Sequence, residues 1–119
     1  MSVQRGEVVL IDFPFSGGPG SKVRPALVVQ NDQDNGRLLN TIVAMITSRT
    51  QRATTEPTQL LIDISTPDGQ SSGLLMNSAV NCVNLFTVDQ AKVLRTLGYL
   101  PSPLMARVDQ CLKAAIDVS

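Results

Sequence analysis

RPALVV, residues 24–29, places an arginine and a proline directly before four apolar residues. Proline biases the preceding residue toward an extended backbone and valine is favoured in strands, so this run predicts a strand with Arg24 at its beginning. Two similar runs flank it, EVVLIDF at residues 7–13 and TIVAMIT at residues 41–47. Short runs of this kind predict a protein built mainly from β-strands.

The connections between these runs carry loop and turn signals. Residues 14–23 are rich in Gly and Ser and predict a loop, with a lid that becomes ordered around a ligand as one alternative. Asn35-Gly36 indicates the turn of a hairpin between the second and third strands.

Further strands are predicted downstream. The runs at residues 59–64, 73–76 and 79–85 are short and apolar, and Asp68-Gly69 marks a turn between the first two. With the earlier runs they make at least five short strands. This spacing is typical of a small barrel or sandwich.

The C-terminal segment changes to a helical period. Apolar residues recur at three- and four-residue intervals over residues 104–116. Ser102 is expected to cap this helix, with Pro103 in its first turn. A shorter helix is predicted to begin at Thr87, because Gln90 follows it in a capping-box pattern.

Composition limits the architecture and the location. A chain of 119 residues with 43% hydrophobic and 17% charged residues can bury one core, so residues 1–119 are expected to form a single domain. Ten basic residues balance ten acidic ones, so nucleic-acid binding would need a local patch. No apolar run approaches the roughly 20 residues of a spanning helix, and the first residues lack a secretion signal. A soluble, cytoplasmic protein is expected.

The absence of histidine excludes several kinds of active site. A histidine base, a histidine metal ligand and a Ser-His-Asp triad are all impossible. Cys82 and Cys111 are too few for a four-ligand zinc site, and their apolar surroundings favour reduced core thiols over a disulfide. Neither a metal nor another cofactor is predicted.

Four cations are the strongest candidates for a binding patch. Lys22 and Arg24 lie near the glycine-rich loop, and Arg49 and Arg52 lie in residues 48–57, which predict an exposed loop without an acid before position 56. Both loops converging at one end of a barrel would form a patch that binds phosphates. The alternative is two separate solvated loops.

Three side chains, one of them among these cations, admit both a functional and a structural interpretation. Arg24 offers the planar fork that suits a phosphate, yet an ion pair with Asp12 or Asp32 is the alternative. Thr47 and Ser48 end a strand, where hydroxyl groups commonly bond to the backbone.

Other modes of nucleotide binding fit less well. Residues 17–22, GGPGSK, lack the serine or threonine that follows lysine in a phosphate loop, and a strand rather than a helix comes next. Aromatic stacking is poorly supplied, because only Phe15 lies in an obvious loop.

Three segments together resemble a known family. RGEV at residues 5–8, RPALVVQND at residues 24–32 and IVAMITS at residues 42–48 are similar to the MazF/PemK family of type II toxin–antitoxin endoribonucleases, and TVD at residues 87–89 resumes the similarity. The resemblance implies a small SH3-like β-barrel with a C-terminal helix. It also implies a homodimer that cuts single-stranded mRNA without a metal and is inhibited by a cognate antitoxin.

The resemblance implies the roles of the candidate residues. Arg24 and Thr47 correspond to the catalytic arginine and threonine of the family. Arg24 is expected to stabilise the charge of the phosphorane, with proton donation left open, and Thr47 to bond to the scissile phosphate or its 2′-hydroxyl; the base is left open. The RNA contacts expected beside them are Lys22, Ser48, Arg49, Arg52 and Asn81.

The sequence departs from the family pattern at one place. Asn81 and Val83 stand where some relatives have an arginine and an aspartate, so slow or altered catalysis, or a weakened RNA-binding relative, is one alternative. Asn81 and Asn84 offer hydrogen bonds to bases, with a hydrogen bond in a turn or at a strand edge as the expected role of at least one. A CcdB-like toxin that binds DNA gyrase is the other alternative, and it is disfavoured because such relatives rely on a C-terminal tryptophan that this chain lacks.

Overall fold

Six strands and three α-helices make up most of residues 2–14 and 19–119, the part of the chain that the computed structural model describes. They are β1 (Glu7–Pro14), β2 (Ser21–Val28), α1 (Asp32–Arg37), β3 (Asn40–Thr47), β4 (Gln59–Ile62), α2 (Pro67–Gln70), β5 (Ser78–Asp89), β6 (Val93–Tyr99) and α3 (Ser102–Ile116). The prediction of a mainly β protein with a C-terminal helix is confirmed.

All six strands pair antiparallel in one sheet, in the order β4-β5-β3-β2-β1-β6. Because successive side chains of a strand point to opposite faces, the sheet has two apolar surfaces. One surface packs under α3 in a core cluster that includes Val8, Leu27 and Val108. The opposite surface carries a second cluster around Ile11 and Val43.

The described sheet is open rather than a closed barrel. Strands β4 and β6 form its two edges, and no pairing joins them among the described residues. Val8 of β1 and Leu60 of β4 nevertheless share a core cluster with α3, so the sheet bends around a common interior. The expected barrel is corrected to a bent sheet because α3 covers this interior in place of a further strand pairing.

Strand β2 begins earlier than predicted. Ser21, Lys22 and Val23 are strand residues paired with β1, although a loop was expected up to residue 23. Hydrogen bonding to β1 holds these exposed residues extended, so Arg24 lies inside the strand rather than at its beginning. The predicted lid and Phe15 lie outside the described residues.

The predicted hairpin turn at Asn35-Gly36 is wrong, because both residues belong to α1. The Oδ1 atom of Asn31 accepts a hydrogen bond from the backbone N–H of Asp34 at 2.8 Å and caps this helix. Asn35 is buried, and its Oδ1 atom accepts a hydrogen bond from the hydroxyl of Thr41 at 2.7 Å. A buried carboxamide tied to β3 therefore favours the helix over a turn.

The segment after β4 also differs from its prediction. Asp68 and Gly69 lie in the short helix α2, which the Thr66 side chain caps. Residues 73–76 form no strand: Gly73 has φ of +72°, and a Cβ atom there would lie 2.1 Å from the carbonyl oxygen of Leu97. The close approach of β6 forces a turn here.

The predicted helix at Thr87 is wrong, because β5 continues to Asp89 along β3. Asp89 accepts a hydrogen bond from the N–H of Ala91 and caps a 3-10 turn over Gln90–Lys92. Strand β6 was not predicted from the sequence; it follows this turn and pairs with β1.

Helix α3 runs over the expected range but has a different cap. Pro101 occupies the N-cap position without a side-chain hydrogen bond, so Ser102 lies in the first turn with Pro103. The helix buries Val108 and Cys111. In the described parts of the chain, no helix is long and apolar enough to span a membrane.

Both cysteines are buried and unpaired, as predicted. Burial raises the pKa of the Cys82 thiol to about 12, and burial also raises the pKa of Cys111. The two thiols therefore stay neutral at physiological pH and act as core side chains.

Candidate functional site

A groove of about 1280 Å³ lies where one end of β2, β3, β4 and β5 meets the loop after β3. We call it the basic groove. Every site residue expected from the sequence lines it: Lys22, Arg24, Thr47, Ser48, Arg49, Arg52 and Asn81. The predicted convergence of the two basic segments is thus observed.

The register of β2 and β3 brings Arg24 and Thr47 into corresponding positions. Ala26 pairs with Met45, and both belong to the second core cluster. Two residues further along each strand, Arg24 and Thr47 lie on the same face, because side chains alternate with a period of two. The apolar end of this face is buried, and its polar end forms the groove.

Arg24 does not form the structural ion pair that was its alternative interpretation. No ion pair joins it to Asp12 or Asp32, and all three residues lie in the described part of the chain. Asp32 instead accepts a hydrogen bond from the backbone N–H of Arg5 at 2.6 Å. The Arg24 side chain is exposed in the groove, where its guanidinium is available to an anion.

The Thr47 hydroxyl accepts one local hydrogen bond and can donate another. Its Oγ1 atom accepts a hydrogen bond from the backbone N–H of Arg49 at 3.1 Å. This contact confirms the expected backbone bond. A hydroxyl both accepts and donates, so its proton is available to an acceptor in the groove.

The charges of the groove have one sign. Lys22, Arg24, Arg49 and Arg52 line it, and no carboxylate is among its described lining residues. Cations gathered along a concave surface create a local positive potential that attracts a polyanion, although the chain has no net charge.

A wide irregularity in β5 shapes the other wall of the groove. Ala44 of β3 pairs with Leu85, whereas the next residue, Met45, pairs with Asn81, which leaves residues 82–84 as an insertion in β5. The N–H of Val83 donates a hydrogen bond to Oδ1 of Asn81 at 3.2 Å. The predicted local turn role is confirmed for Asn81, and its Nδ2 group is left as a donor.

The groove also contains an aromatic pair that was not predicted from the sequence. The ring centroids of Phe13 and Phe86 lie 4.7 Å apart, with an angle of 77° between the ring planes. Both rings line the groove, and Phe86 is 39% exposed. No local sequence signal identifies this pair, because Phe13 lies on β1 and Phe86 on β5, and these strands are separated in the sheet by β3 and β2.

Metal ligation finds no support in the side chains. The described residues contain no group of three or more His, Cys, Asp or Glu side chains that could hold an ion. The chemistry available in the basic groove is that of guanidinium, ammonium, hydroxyl and carboxamide groups.

The chain is similar over nearly its whole length to known proteins. Residues 4–116 match the family described as PemK-like, MazF-like toxin of type II toxin-antitoxin system. Endoribonuclease MazF6 of Mycobacterium tuberculosis is 32% identical over 120 residues, covering 99% of this chain and 100% of that protein. Endoribonuclease EndoA of Bacillus subtilis is 32% identical over 117 residues, covering 98% of this chain and 96% of that protein.

A solved structure shares the fold. An endoribonuclease in complex with its cognate antitoxin, from a mycobacterial species, superposes with a TM-score of 0.79 at 21% sequence identity. The similarity covers 99% of this chain and 98% of that one. The bent sheet with its C-terminal helix is therefore an architecture that solved proteins also adopt.

Proposed function

Since the chain belongs to the PemK-like, MazF-like toxin family of type II toxin–antitoxin systems, we propose that it is an endoribonuclease that cleaves single-stranded mRNA without a metal ion. The observation that carries this proposal is the basic groove, in which Arg24 and Thr47 take corresponding positions among cations with no described carboxylate beside them. We expect cleavage of mRNA to inhibit growth and to take place in the cytoplasm.

The proposed reaction is a transesterification within the RNA chain, and the groove offers donors that stabilise the charge developing on the phosphate. The 2′-oxygen of the ribose attacks the neighbouring phosphorus, and the bond from phosphorus to the 5′-oxygen breaks. The 2′-hydroxyl loses one proton and the leaving 5′-oxygen gains one, so neither water nor a redox partner is consumed. The products are a 2′,3′-cyclic phosphate and a 5′-hydroxyl end.

Arg24 and Thr47 are assigned the catalytic roles. The guanidinium of Arg24 stabilises the charge that develops on the non-bridging oxygens of the phosphorane, because two parallel N–H donors fit two such oxygens. The Thr47 hydroxyl, whose oxygen already accepts a hydrogen bond from the backbone N–H of Arg49, donates a hydrogen bond to the scissile phosphate or its 2′-hydroxyl.

The remaining lining residues are assigned to RNA binding. Lys22, Arg49 and Arg52 contact backbone phosphates, and Ser48 adds a hydroxyl donor. Asn81 contributes its free Nδ2 group. Asn81 and Val83 supply neither the charge nor the titratable group of the arginine and aspartate found in some relatives, so the expected cleavage is slower than in those relatives.

A protein partner is expected to share this groove. An antitoxin with an extended acidic segment would pair its carboxylates with Lys22, Arg24, Arg49 and Arg52 and thereby displace RNA. Residues 1–119 are proposed to act as one domain, and the protein is proposed to be a homodimer. Competition between RNA and the antitoxin peptide for the purified protein tests the shared groove.

The direct test is incubation of the purified protein with a long unstructured RNA in the presence of EDTA. Cleavage at a limited set of sequences, with 5′-hydroxyl ends found by sequencing the new termini, is the expected result. Loss of activity on chelation that Mg²⁺ or Mn²⁺ restores would overturn the metal-free mechanism. Intact RNA together with gyrase inhibition would favour the CcdB-like alternative.

A further inference from the structure

The insertion in β5 brings an additional carboxamide to the basic groove. Residues 82–84 are extra relative to β3, and Asn84 at their end is exposed and lines the groove. Insertions of this kind redirect side chains and are common next to active sites. With regular pairing Asn84 would lie opposite Met45, but the insertion gives that position to Asn81, so both carboxamides line the groove.

A second carboxamide comes from the edge strand. Gln59 of β4 pairs with Asn81 of β5, so the two side chains are direct cross-strand neighbours on one face. Both line the groove. On its other side, Asn81 pairs with Met45 of β3. Met45 precedes Thr47 by two residues, a separation of about 7 Å along the strand.

These carboxamides have hydrogen-bonding capacity that the described fold does not use. The side chains of Gln59 and Asn84 make no hydrogen bond to other described residues, in contrast to Gln90, which binds the carbonyl oxygens of Asn35 and Leu38. A carboxamide presents a donor and an acceptor side by side, which matches the edge of a nucleobase.

An aromatic surface lies next to them. Phe86 follows Asn84 by two residues, and its partly exposed ring is held against Phe13. Bases that are unstacked in single-stranded RNA pack on aromatic rings while their edges are read by hydrogen bonds.

The cations of the groove cannot supply sequence preference, because phosphate contacts carry no sequence information. We propose that Asn84 and Gln59 are specificity-determining residues that read the edge of one base, adjacent to the phosphate bound at Thr47, while this base packs on Phe86. The proposal rests on the endoribonuclease function proposed above. It assigns phosphate binding to one wall of the groove and base reading to the other.

The test compares sequence preference in a library of RNAs randomised around one cleavage site. Asn84→Ala and Gln59→Ala are measured beside Gln110→Ala, which removes an exposed carboxamide outside the basic groove. In at least one of the first two variants, the preference at one position of the site should fall by roughly 5- to 100-fold, as expected for one lost base contact. Gln110→Ala should keep the wild-type profile.

The same library with 2′-O-methyl groups, which cannot be cleaved, supplies a second measurement by equilibrium binding. If Asn84→Ala or Gln59→Ala loses the base preference at one RNA position in binding, base reading is supported whether or not the wild-type protein cleaves. If the RNA stays uncleaved in the first assay while binding keeps its sequence preference, the proposed reaction is refuted but base reading is not. Profiles of Asn84→Ala and Gln59→Ala that match the wild type, in proteins with unchanged thermal unfolding, would refute base reading.

Discussion

Two grooves meet at Gln59 of β4 and differ in charge. The basic groove lies on one side, and a second groove of about 920 Å³ lies between β4, α2 and α3. We call the second one the acidic groove, since it is lined by Glu56, Asp63 and Asp68 together with Arg107. The two grooves are both concave and share one strand, but their charges have opposite sign. The shape of a groove alone therefore does not specify its ligand here.

The source of the difference is the pair of loops around β4. The loop before it supplies Arg49 and Arg52 to the basic groove and Glu56 to the acidic groove. The segment after it adds Asp63 and Asp68 to the acidic groove. Hydrogen bonds from the hydroxyl and the backbone N–H of Ser65 lower the pKa of Asp63, which keeps this carboxylate ionised. The basic and acidic grooves therefore have local electrostatic potentials of opposite sign, although the net charge of the chain is zero.

The largest expected effect comes from Arg24→Lys in the basic groove. Lysine keeps the charge but loses the two parallel donors, so RNA binding should persist while the cleavage rate falls. The cost should be about 2–4 kcal/mol, or roughly 30- to 1000-fold in single-turnover cleavage. Arg107→Lys in the acidic groove is the matched control and should keep the wild-type rate. A normal rate with a lowered melting temperature would show that Arg24 is structural.

The double change Arg49→Ala with Arg52→Ala should weaken RNA binding roughly 10- to 100-fold at low salt. The slope of log affinity against log salt should fall by about 1.4, which is roughly 0.7 for each lost phosphate contact on a single strand. Arg107→Ala should leave this slope unchanged. Equal slopes for all three proteins would mean that Arg49 and Arg52 only face water and that the two grooves do not differ in RNA binding.

Gly69→Ala tests the acidic groove by disturbing α2, the helix whose Pro67 and Asp68 line it. A Cβ atom at Gly69 would lie 1.9 Å from the carbonyl oxygen of Asp63, so the variant should lose about 1–3 kcal/mol of unfolding free energy. Gly36→Ala, in α1 with nothing within 4 Å, should gain about 0.5 kcal/mol. RNA cleavage by folded Gly69→Ala should be normal, and a defect there would link the two grooves.

The smallest effect concerns the core cluster that Cys82 shares with Cys111, a residue of the acidic groove. Burial raises the pKa of Cys82 from 9.0 to about 12, so the unfolded thiol ionises first as the pH rises. The contribution of this thiol to stability is complete below pH 9 and is lost between about pH 9 and 12.

Urea unfolding at pH 8 and pH 10, in the wild type and in Cys82→Ala, measures this loss. The wild type should lose about 1.4 kcal/mol more than the variant over this interval. Identical pH dependence in both proteins would show that Cys82 ionises equally in the folded and unfolded states.

Residues adjacent in the chain made much of the fold predictable. The apolar runs around Val8, Val28 and Val43 identify three central strands, because their side chains are buried whatever their partners are. The helical spacing up to Ile116 identifies α3 in the same way. Turn signals were less reliable: Asn35-Gly36 is part of a helix because Asn35 is buried against Thr41, a contact between elements.

The sequence by itself determined the groups that the site contains: Arg24 and Thr47 at strand positions, four cations near two strand ends, no histidine and only two cysteines. Only the tertiary structure decided that Gln59, Asn84 and Phe86 face these cations and that the sheet stays open under α3. The physical reason is the distance along the chain between the residues that interact. Strand propensity and charge are properties of neighbouring residues, whereas the order of strands, their register and an insertion in β5 depend on how distant segments share one core.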